Sequence, residues 1–335
     1  MADDAMGAAE VAVVGNGPWG AVLADLLCGT HERVLFWGED DAAQAAVIDR
    51  RCHPGLADVV LSDKIEGAKS LGDCASAQVI IIALAPDRVR PVVRRLGDFL
   101  RGDHRVLCAS RGLEPDSGKR LTQVVKEESC VRLVAALAGP QLTLEMAQGA
   151  PGGGVVGSEF KDVAREMQGR LASARYRVYT SADLVGVEYG PVFASIGVFV
   201  VGVVEGFGLG TGAQALVMSR AVVEIGHIGA ALGGAPETFS GMSSLGVLMG
   251  ACLARTGVDY QLGLEVGRNH AKPLDLGAMD NASGLMESAR LAAGLANSCS
   301  VDAPLLKAAA ALLSGAMTPD QLRVALMTRP LTEEQ

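Results

Sequence analysis

The 335-residue chain contains no C-x-x-C pair. Its seven cysteines (Cys28, Cys52, Cys74, Cys108, Cys130, Cys252 and Cys299) are odd in number and far apart, which excludes a disulfide framework and offers no zinc-ligand spacing; a reducing, cytoplasmic setting is expected. There is no cluster of basic residues. Lys and Arg total 29 against 38 Asp and Glu, a formal net charge of −9, so no phosphate backbone would be neutralised and no nucleic-acid partner is expected. A basic leader is also missing: Met1 to Glu10 carries two aspartates and a glutamate and reads as a frayed tail, not a secretory signal. The longest uncharged apolar run, Tyr189 to Val204, is shorter than the roughly 18 residues of a bilayer span and holds Gly190, Gly197 and Gly202. It is expected to be a buried core helix, with no membrane span. None of the five histidines has metal-ligand spacing or lies beside a G-x-S-x-G turn, so no metal is expected; His227, on an apolar helical stretch, reads as a core or interface residue.

What the chain does have is a core. Apolar residues make up 49% and charged residues 20%, spread along the whole length, enough for about two domains. Short apolar runs (Val11 to Val14, Arg33 to Trp37, Val79 to Ala83, Val106 to Ala109, Leu133 to Leu137) are bounded by turn residues and separated by helix-length segments, and strand signals persist to Tyr176 to Tyr179 and then stop. The helix-length segments include Pro18 to Cys28, Pro86 to Leu100 and Ser117 to Glu128. Such runs are what parallel strands covered on both faces require. The expected fold is an α/β Rossmann domain over 1–182, with a doubly wound, mostly parallel sheet. An all-α domain should follow over 183–335, where Ala213 to Leu232, Gly241 to Leu253, Ala282 to Ala296 and Pro319 to Met327 have helical spacing.

The run Val11 to Val14 leads directly into Gly15-Asn16-Gly17-Pro18-Trp19-Gly20, a G-x-G-x-x-G between a strand and a helix. In that context the first glycine permits a tight turn, the second lets a pyrophosphate approach the backbone, and the third lets helix and strand pack closely. Pro18 suits a first helical turn. Glu39 follows Gly20 by 19 residues, at the end of the next strand, where an acid accepts hydrogen bonds from the adenosine ribose hydroxyls. The expected cofactor is therefore NAD rather than NADP, whose 2′-phosphate would face Glu39 and Asp40 unless an arginine intervened.

Beyond this loop the chain resembles the bacterial NAD(P)-dependent glycerol-3-phosphate dehydrogenase family over nearly its whole length. The resemblance is carried by Val13 to Gly20 with Leu35-Phe36-Trp37-Gly38, Ala109-Ser110-Arg111-Gly112-Leu113-Glu114, Ala138-Gly139-Pro140 and Tyr176 to Ser181. It continues through Gly186-Val187-Glu188-Tyr189-Gly190, Ser219-Arg220, Ala231-Leu232-Gly233 with Pro236 to Phe239, Leu312 to Gly315 and Arg329-Pro330-Leu331. It implies an oxidoreductase of glycerophospholipid metabolism that transfers hydride between a nicotinamide and dihydroxyacetone phosphate, giving sn-glycerol 3-phosphate.

That chemistry needs a proton donor where negative charge develops on the carbonyl oxygen. The resemblance places the family's lysine at Ala194 and its following asparagine at Ser195, so the catalytic residue is unknown. A second family lysine corresponds to Arg111, which would touch both cofactor and substrate and is the candidate substitute acid, although a guanidinium does not readily release a proton. A family carboxylate becomes Val247, and the Ser-Arg-Asn that would grip phosphate becomes Gly257-Val258-Asp259. The Gly-Asn-Ala-Arg segment becomes Thr211-Gly212-Ala213-Gln214; Gly139 is kept and Gln141 replaces a Ser or Thr. Asp259 could bind a cationic substrate or cap a helix. Glu205, three turns from Ala194, is too far along the helix to replace the lysine. Three readings follow: a pseudoenzyme that keeps the nucleotide fold, a dehydrogenase of another small hydroxy or keto substrate, or a glycerol-3-phosphate dehydrogenase with rearranged residues. In each, the expected partners are a small molecule or a nucleotide, with a homodimer compatible.

Overall fold

The computed structural model describes residues 10–269 and 282–327. Residues 1–9 of the expected tail, His270, and the Arg329-Pro330-Leu331 motif lie outside the described residues. By contact density the chain divides into two compact units, one ending at Glu188 and the other beginning at Tyr189. The division falls within the helix Leu184–Gly206, whose start lies just after the boundary read from the sequence.

The first unit is built on one eight-stranded sheet: β1 (Val11–Val14), β2 (Val34–Trp37), β3 (Ile65–Gly67), β4 (Val79–Ile82), β5 (Arg105–Cys108), β6 (Leu133–Ala138), β7 (Gly152–Gly157) and β8 (Tyr176–Ser181). Their spatial order is β3-β2-β1-β4-β5-β6-β7-β8. All pairs are parallel except β6 with β7. The four residues of each of β1, β2 and β4 are all buried, as unbroken Val/Ile/Leu runs sandwiched between helices must be. The order reverses between β1 and β4, and at such a switch point the loops leaving both strands diverge to opposite faces and open a crevice. The glycine-rich loop lies there.

Two strands were not anticipated. β3 has three residues, too few for a period to show. β7 reads GGGVVG, a composition depleted in strands, yet its glycines are demanded by packing. A Cβ on Gly154 would stand 2.4 Å from the Tyr176 hydroxyl, and one on Gly157 would stand 2.8 Å from Val187 Cβ. The helix expected from Ser117 begins only at Leu121, because Gly118 (φ +68°) closes a turn in which its N–H donates to the Glu114 carbonyl.

The second unit is helical, with no strand among its described residues. Its helices include Gly210–Ala231, Val247–Ala254, Val258–Arg268, Ala282–Ser298, Pro304–Leu313 and Pro319–Met327. The stretch expected as one helix from Gly241 instead opens with a π-turn, Met242–Gly246, before Val247. Leu184–Gly206 is long and apolar enough by composition to cross a membrane, but its most apolar window is 94% buried inside the fold. Its glycines explain why: a Cβ on Gly202 would lie 2.3 Å from the Tyr260 carbonyl oxygen, and Gly263 approaches Phe199 equally closely, so two helices cross at backbone contact. His227 is exposed on Gly210–Ala231, which corrects the expectation of a core position.

Candidate cofactor and substrate sites

β1 runs into the loop through Gly15, whose φ of +130° and whose approach to the Ala83 carbonyl oxygen (2.2 Å from an added Cβ) admit no side chain. Gly15 N–H donates to the Trp37 carbonyl and Ala83 N–H to the Val14 carbonyl, tying the ends of β1, β2 and β4 together. The helix Pro18–Leu27 starts with Pro18 at its first position and Gly17 as its cap, with no side chain satisfying the first-turn N–H groups. A Cβ on Gly17 would meet nothing within 4 Å. Open space above uncapped N–H groups at the positive end of a helix is what an incoming pyrophosphate requires, so the loop fits a dinucleotide.

The loop is braced from outside. Asn16 Nδ2 donates to the Asp40 carbonyl at 2.6 Å, and its side chain fills the space a Cβ on Gly38 would need. Gly55 N–H donates to His53 Nδ1 at 2.9 Å, which leaves Nε2–H to donate to the Asn16 carbonyl, also at 2.9 Å. Trp19 Nε1–H donates to the Ala109 carbonyl at 3.0 Å. His53 is a functional candidate that the sequence reading passed over, since its role depends on a fold-back of 37 residues.

Glu39 lies at the end of β2 as expected, but its carboxylate is already engaged. Arg88 donates to Oε2 from Nε (3.0 Å) and Nη2 (2.7 Å), and Arg95 Nη1 donates to Oε1 (3.2 Å). The Arg95 guanidinium also lies 5.8 Å above the centre of the Trp37 ring. Neighbouring Asp40 caps the helix Asp41–Arg50, accepting from Ala42 and Ala43 N–H at 3.0 Å each. The sequence reading missed Arg88 and Arg95; their spacing of seven on the helix Pro86–Gly97, two turns on one face, was the available signal.

Of the residues assigned to substrate, Arg111 is exposed in the segment after β5 and Gly112 beside it has φ +133°. Gly139 (φ +150°) ends β6 against Gly153 and Gly154, and Gln141 Nε2 donates to the buried Tyr176 hydroxyl at 2.8 Å. Burial drives the Tyr176 hydroxyl well above its ordinary pKa. Glu188 is buried, accepting from Arg120 Nη1 (2.7 Å) and from Thr122 N–H (3.0 Å) and Oγ1–H (2.5 Å); burial raises its carboxyl despite the Arg120 charge.

In the second unit Ala194 is 0% exposed, and Ser195 and Val247 are buried as well. Gly257 caps Val258–Arg268 without a side-chain bond, Val258 is 52% exposed, and Asp259 stands in the first turn, so the cap expected of Asp259 belongs to Gly257. Glu205 accepts hydrogen bonds from the Tyr260 hydroxyl and from Gln214 Nε2 (3.2 Å), with Arg255 Nη1 at 3.4 Å. Burial, with Glu205 close by, holds the Tyr260 proton on. Ser244 Oγ, on the π-turn, is buried without a hydrogen-bond partner among the described residues. No group of three His, Cys, Asp or Glu side chains able to hold a metal occurs among the described residues.

A doubly wound sheet with a G-x-G-x-x-G turn at its switch point, followed by a helical unit, defines a nicotinamide-dinucleotide oxidoreductase. Residues 10–164 match the N-terminal and residues 183–323 the C-terminal domain model of NAD-dependent glycerol-3-phosphate dehydrogenase. The chain is 34% identical over 327 residues (97% of it and 94% of the relative) to glycerol-3-phosphate dehydrogenase [NAD(P)+] of Mesorhizobium japonicum, and 31% identical (97% and 99%) to that of Brucella canis. The chain belongs to this family. The fold is also that of glycerol-3-phosphate dehydrogenase from Coxiella burnetii (TM-score 0.85, 23% identity, 95% of this chain and 98% of that one). The enzyme from Plasmodium falciparum is similar in fold too (TM-score 0.86, 13% identity, 98% and 97%).

Proposed function

We propose that this chain is a cytoplasmic nicotinamide-dinucleotide-binding member of the family in which reduction of dihydroxyacetone phosphate is lost or strongly reduced. The observation that carries the reading is Ala194: a fully buried methyl group on Leu184–Gly206 stands where the resemblance puts the proton-donating lysine. When bound, the cofactor supplies a hydride to a carbonyl carbon, and the oxygen must then gain a proton. Ala194 has none to give, and losing a general acid costs about 10²- to 10⁴-fold in rate. The apolar Val247 and Val258 extend the loss to the groups that would hold a polar, doubly charged substrate. Arg111 keeps a positive charge at the second lysine position, which supports binding of an anion more than proton transfer.

NAD(H) is the tighter cofactor in this reading. Three N–H groups occupy Glu39, and a carboxylate with about four lone-pair sites keeps room for one ribose hydroxyl. The test is oxidation of NADH and NADPH by the purified chain with dihydroxyacetone phosphate and a panel of small ketones and keto acids. Turnover near the typical enzyme value of roughly 10 per second with dihydroxyacetone phosphate would overturn the reading. Comparable turnover with another ketone would establish a dehydrogenase of different substrate.

A further inference from the structure

The helical unit holds a cavity of about 730 Å³ in the groove between the helices Ala282–Ser298 and Pro304–Leu313, within the size range of small-molecule sites. On the first helix Met286, Arg290, Ala293 and Asn297 recur at intervals of three and four, which puts them on one face; Lys307, Ala311 and Ser314 do the same on the second. None of these residues is among those assigned to cofactor or substrate. Gly294, which also lines the groove, stands inside a helix, where glycine is weaker than alanine. A Cβ on it would meet nothing within 4 Å, so packing does not demand the glycine. Its missing side chain keeps the groove open. The charges there are unevenly answered. Arg290 donates to the Glu287 carboxylate, from Nε at 2.8 Å and from Nη2, so these two cancel. Lys307 donates from Nζ to the Val301 carbonyl at 3.1 Å, a neutral partner, and no carboxylate among the described residues pairs with it.

We propose that this groove binds a single-chain amphiphilic carboxylate, its head paired with Lys307 and its alkyl chain laid over Gly294 and the neighbouring alanines. Charge complementarity selects the head. A chain of net charge −9 keeps an ammonium without a counter-ion in the wall of an apolar groove, and a carboxylate there gains a charge-assisted hydrogen bond. A cationic head would be repelled by Lys307, and a neutral head would forgo the ion pair. The small residues select the body, because alanine and glycine leave room for a chain along the face between Met286 and Asn297, eleven residues or about 16 Å of helix. Each methylene moved fully out of water is worth about fourfold in affinity, and about half of that free energy is expected in a groove open on one side.

The experiment titrates the full chain by calorimetry with dodecanoate, decanoate, 1-dodecanol and dodecylammonium, each below the concentration at which it aggregates, and records Tm alongside. Wild type should bind one dodecanoate, decanoate about fourfold more weakly, and dodecanol at least about tenfold more weakly. Lys307→Gln should weaken dodecanoate at least about tenfold and leave dodecanol within about threefold. Gly294→Leu should weaken both at least about tenfold while Tm holds or rises, since leucine favours a helix and its Cβ meets no neighbour. If Gly294→Leu fails to fold, the dodecanoate-to-dodecanol ratio in Lys307→Gln decides alone. Undiminished dodecanoate affinity in Lys307→Gln overturns the proposal, as does dodecylammonium binding as tightly as dodecanoate, or no saturable binding at all. A dimer that Gly294→Leu converts to monomer in sedimentation would assign the groove to a second copy of this chain instead. Flotation with phosphatidylglycerol vesicles, lost in Lys307→Gln while free dodecanoate fails to bind, would assign it to a membrane surface. NADH affinity and dihydroxyacetone phosphate turnover, on which the proposed function stands, should be unchanged in both variants, so the two readings fail separately.

Discussion

A Cβ placed on Gly20 would stand 1.9 Å from the carbonyl oxygen of Gly15, closer than any side chain tolerates, whereas one placed on Gly17 would meet open space. The two glycines therefore serve different ends. Gly20 lets the helix Pro18–Leu27 press against the turn; Gly17, with an ordinary φ of −72°, leaves the approach clear.

Gly17→Ala is expected to leave the Tm within roughly 2 °C of wild type, while nucleotide affinity falls at least about tenfold because a methyl group enters the pyrophosphate's path. Gly20→Ala should lose both stability, by about 1–3 kcal/mol from overpacking, and binding. Thermal melts with and without NADH separate the two. Wild-type affinity in Gly17→Ala would mean that no phosphate passes over that residue.

His53 holds the same loop from the outside. Replacing it with Ala removes the donor to the Asn16 carbonyl and the acceptor for Gly55 N–H, and a buried group left unpaired costs about 1–3 kcal/mol. The loop should loosen more than the sheet beneath it. We expect nucleotide affinity to fall by a factor of about 3 to 10, the equivalent of roughly 1 kcal/mol of loop ordering, with the unfolding midpoint much less affected. Calorimetric titration beside urea denaturation checks this, and an equal loss in both would make His53 a purely structural residue.

Much of this architecture was legible because it is written in local patterns. Strands β1, β2, β4, β5 and β6 are apolar runs flanked by turn residues, β8 (YRVYTS) alternates buried and exposed residues at its start, and the cofactor loop is a contiguous motif whose context on a strand and a helix the sequence shows directly. What was not legible depends on partners distant in sequence. The glycines of β7 are understandable only against Tyr176 and Val187, and His53 only against Asn16. Glu39 was correctly placed at the strand end, but its two arginines lie 49 and 56 residues away, so nothing local revealed that its charge is already answered.

Glu224 is a case of the same kind in the helical unit. It is 2% exposed, and its carboxylate accepts from Leu305 N–H (2.8 and 3.0 Å) and Leu306 N–H (3.1 Å), capping Pro304–Leu313 from a residue more than 80 positions away. A buried acid facing a helix N-terminus satisfies donors that have no intrahelical partner. Glu224→Ala should destabilise the chain by about 2–3 kcal/mol, loss of the cap plus unpaired buried N–H groups. Denaturant unfolding measures it; a change under about 0.5 kcal/mol, the range of an ordinary surface substitution, would show that water replaces the cap.

Acid should act first on the first unit. The Arg94 guanidinium, followed by Arg90, lowers the Glu128 carboxyl from 4.5 to about 2, and Arg90 chiefly lowers Glu114. A carboxyl depressed on folding stabilises the folded state fully above its unfolded value, and that contribution is lost as pH falls from about 4.5 towards 2. Wild type should therefore lose stability steeply across this window. Arg90→Met with Arg94→Met leaves Glu114, Glu127 and Glu128 without those cations; it should be weaker at neutral pH and flatter in acid. Parallel pH profiles of the denaturation midpoint would show that the network contributes nothing to the acid response.

Ala194 is fully buried, so Ala194→Lys must place an ammonium where desolvation pushes its pKa down and favours the neutral amine. Alone, the change should lower the Tm and add little turnover of dihydroxyacetone phosphate. Val258 is half exposed at the start of its helix and can accept an arginine without strain, and Asp259→Asn removes an anion from the same first turn. Groups that act as one unit give strongly non-additive gains. Ala194→Lys with Val258→Arg and Asp259→Asn should therefore exceed the product of the separate gains in kcat/KM. The assay is NADH oxidation by all seven single, double and triple combinations. Robust activity from Ala194→Lys alone would show that substrate phosphate is already held by other residues, and it would remove the apolar Val258 from the case for lost activity.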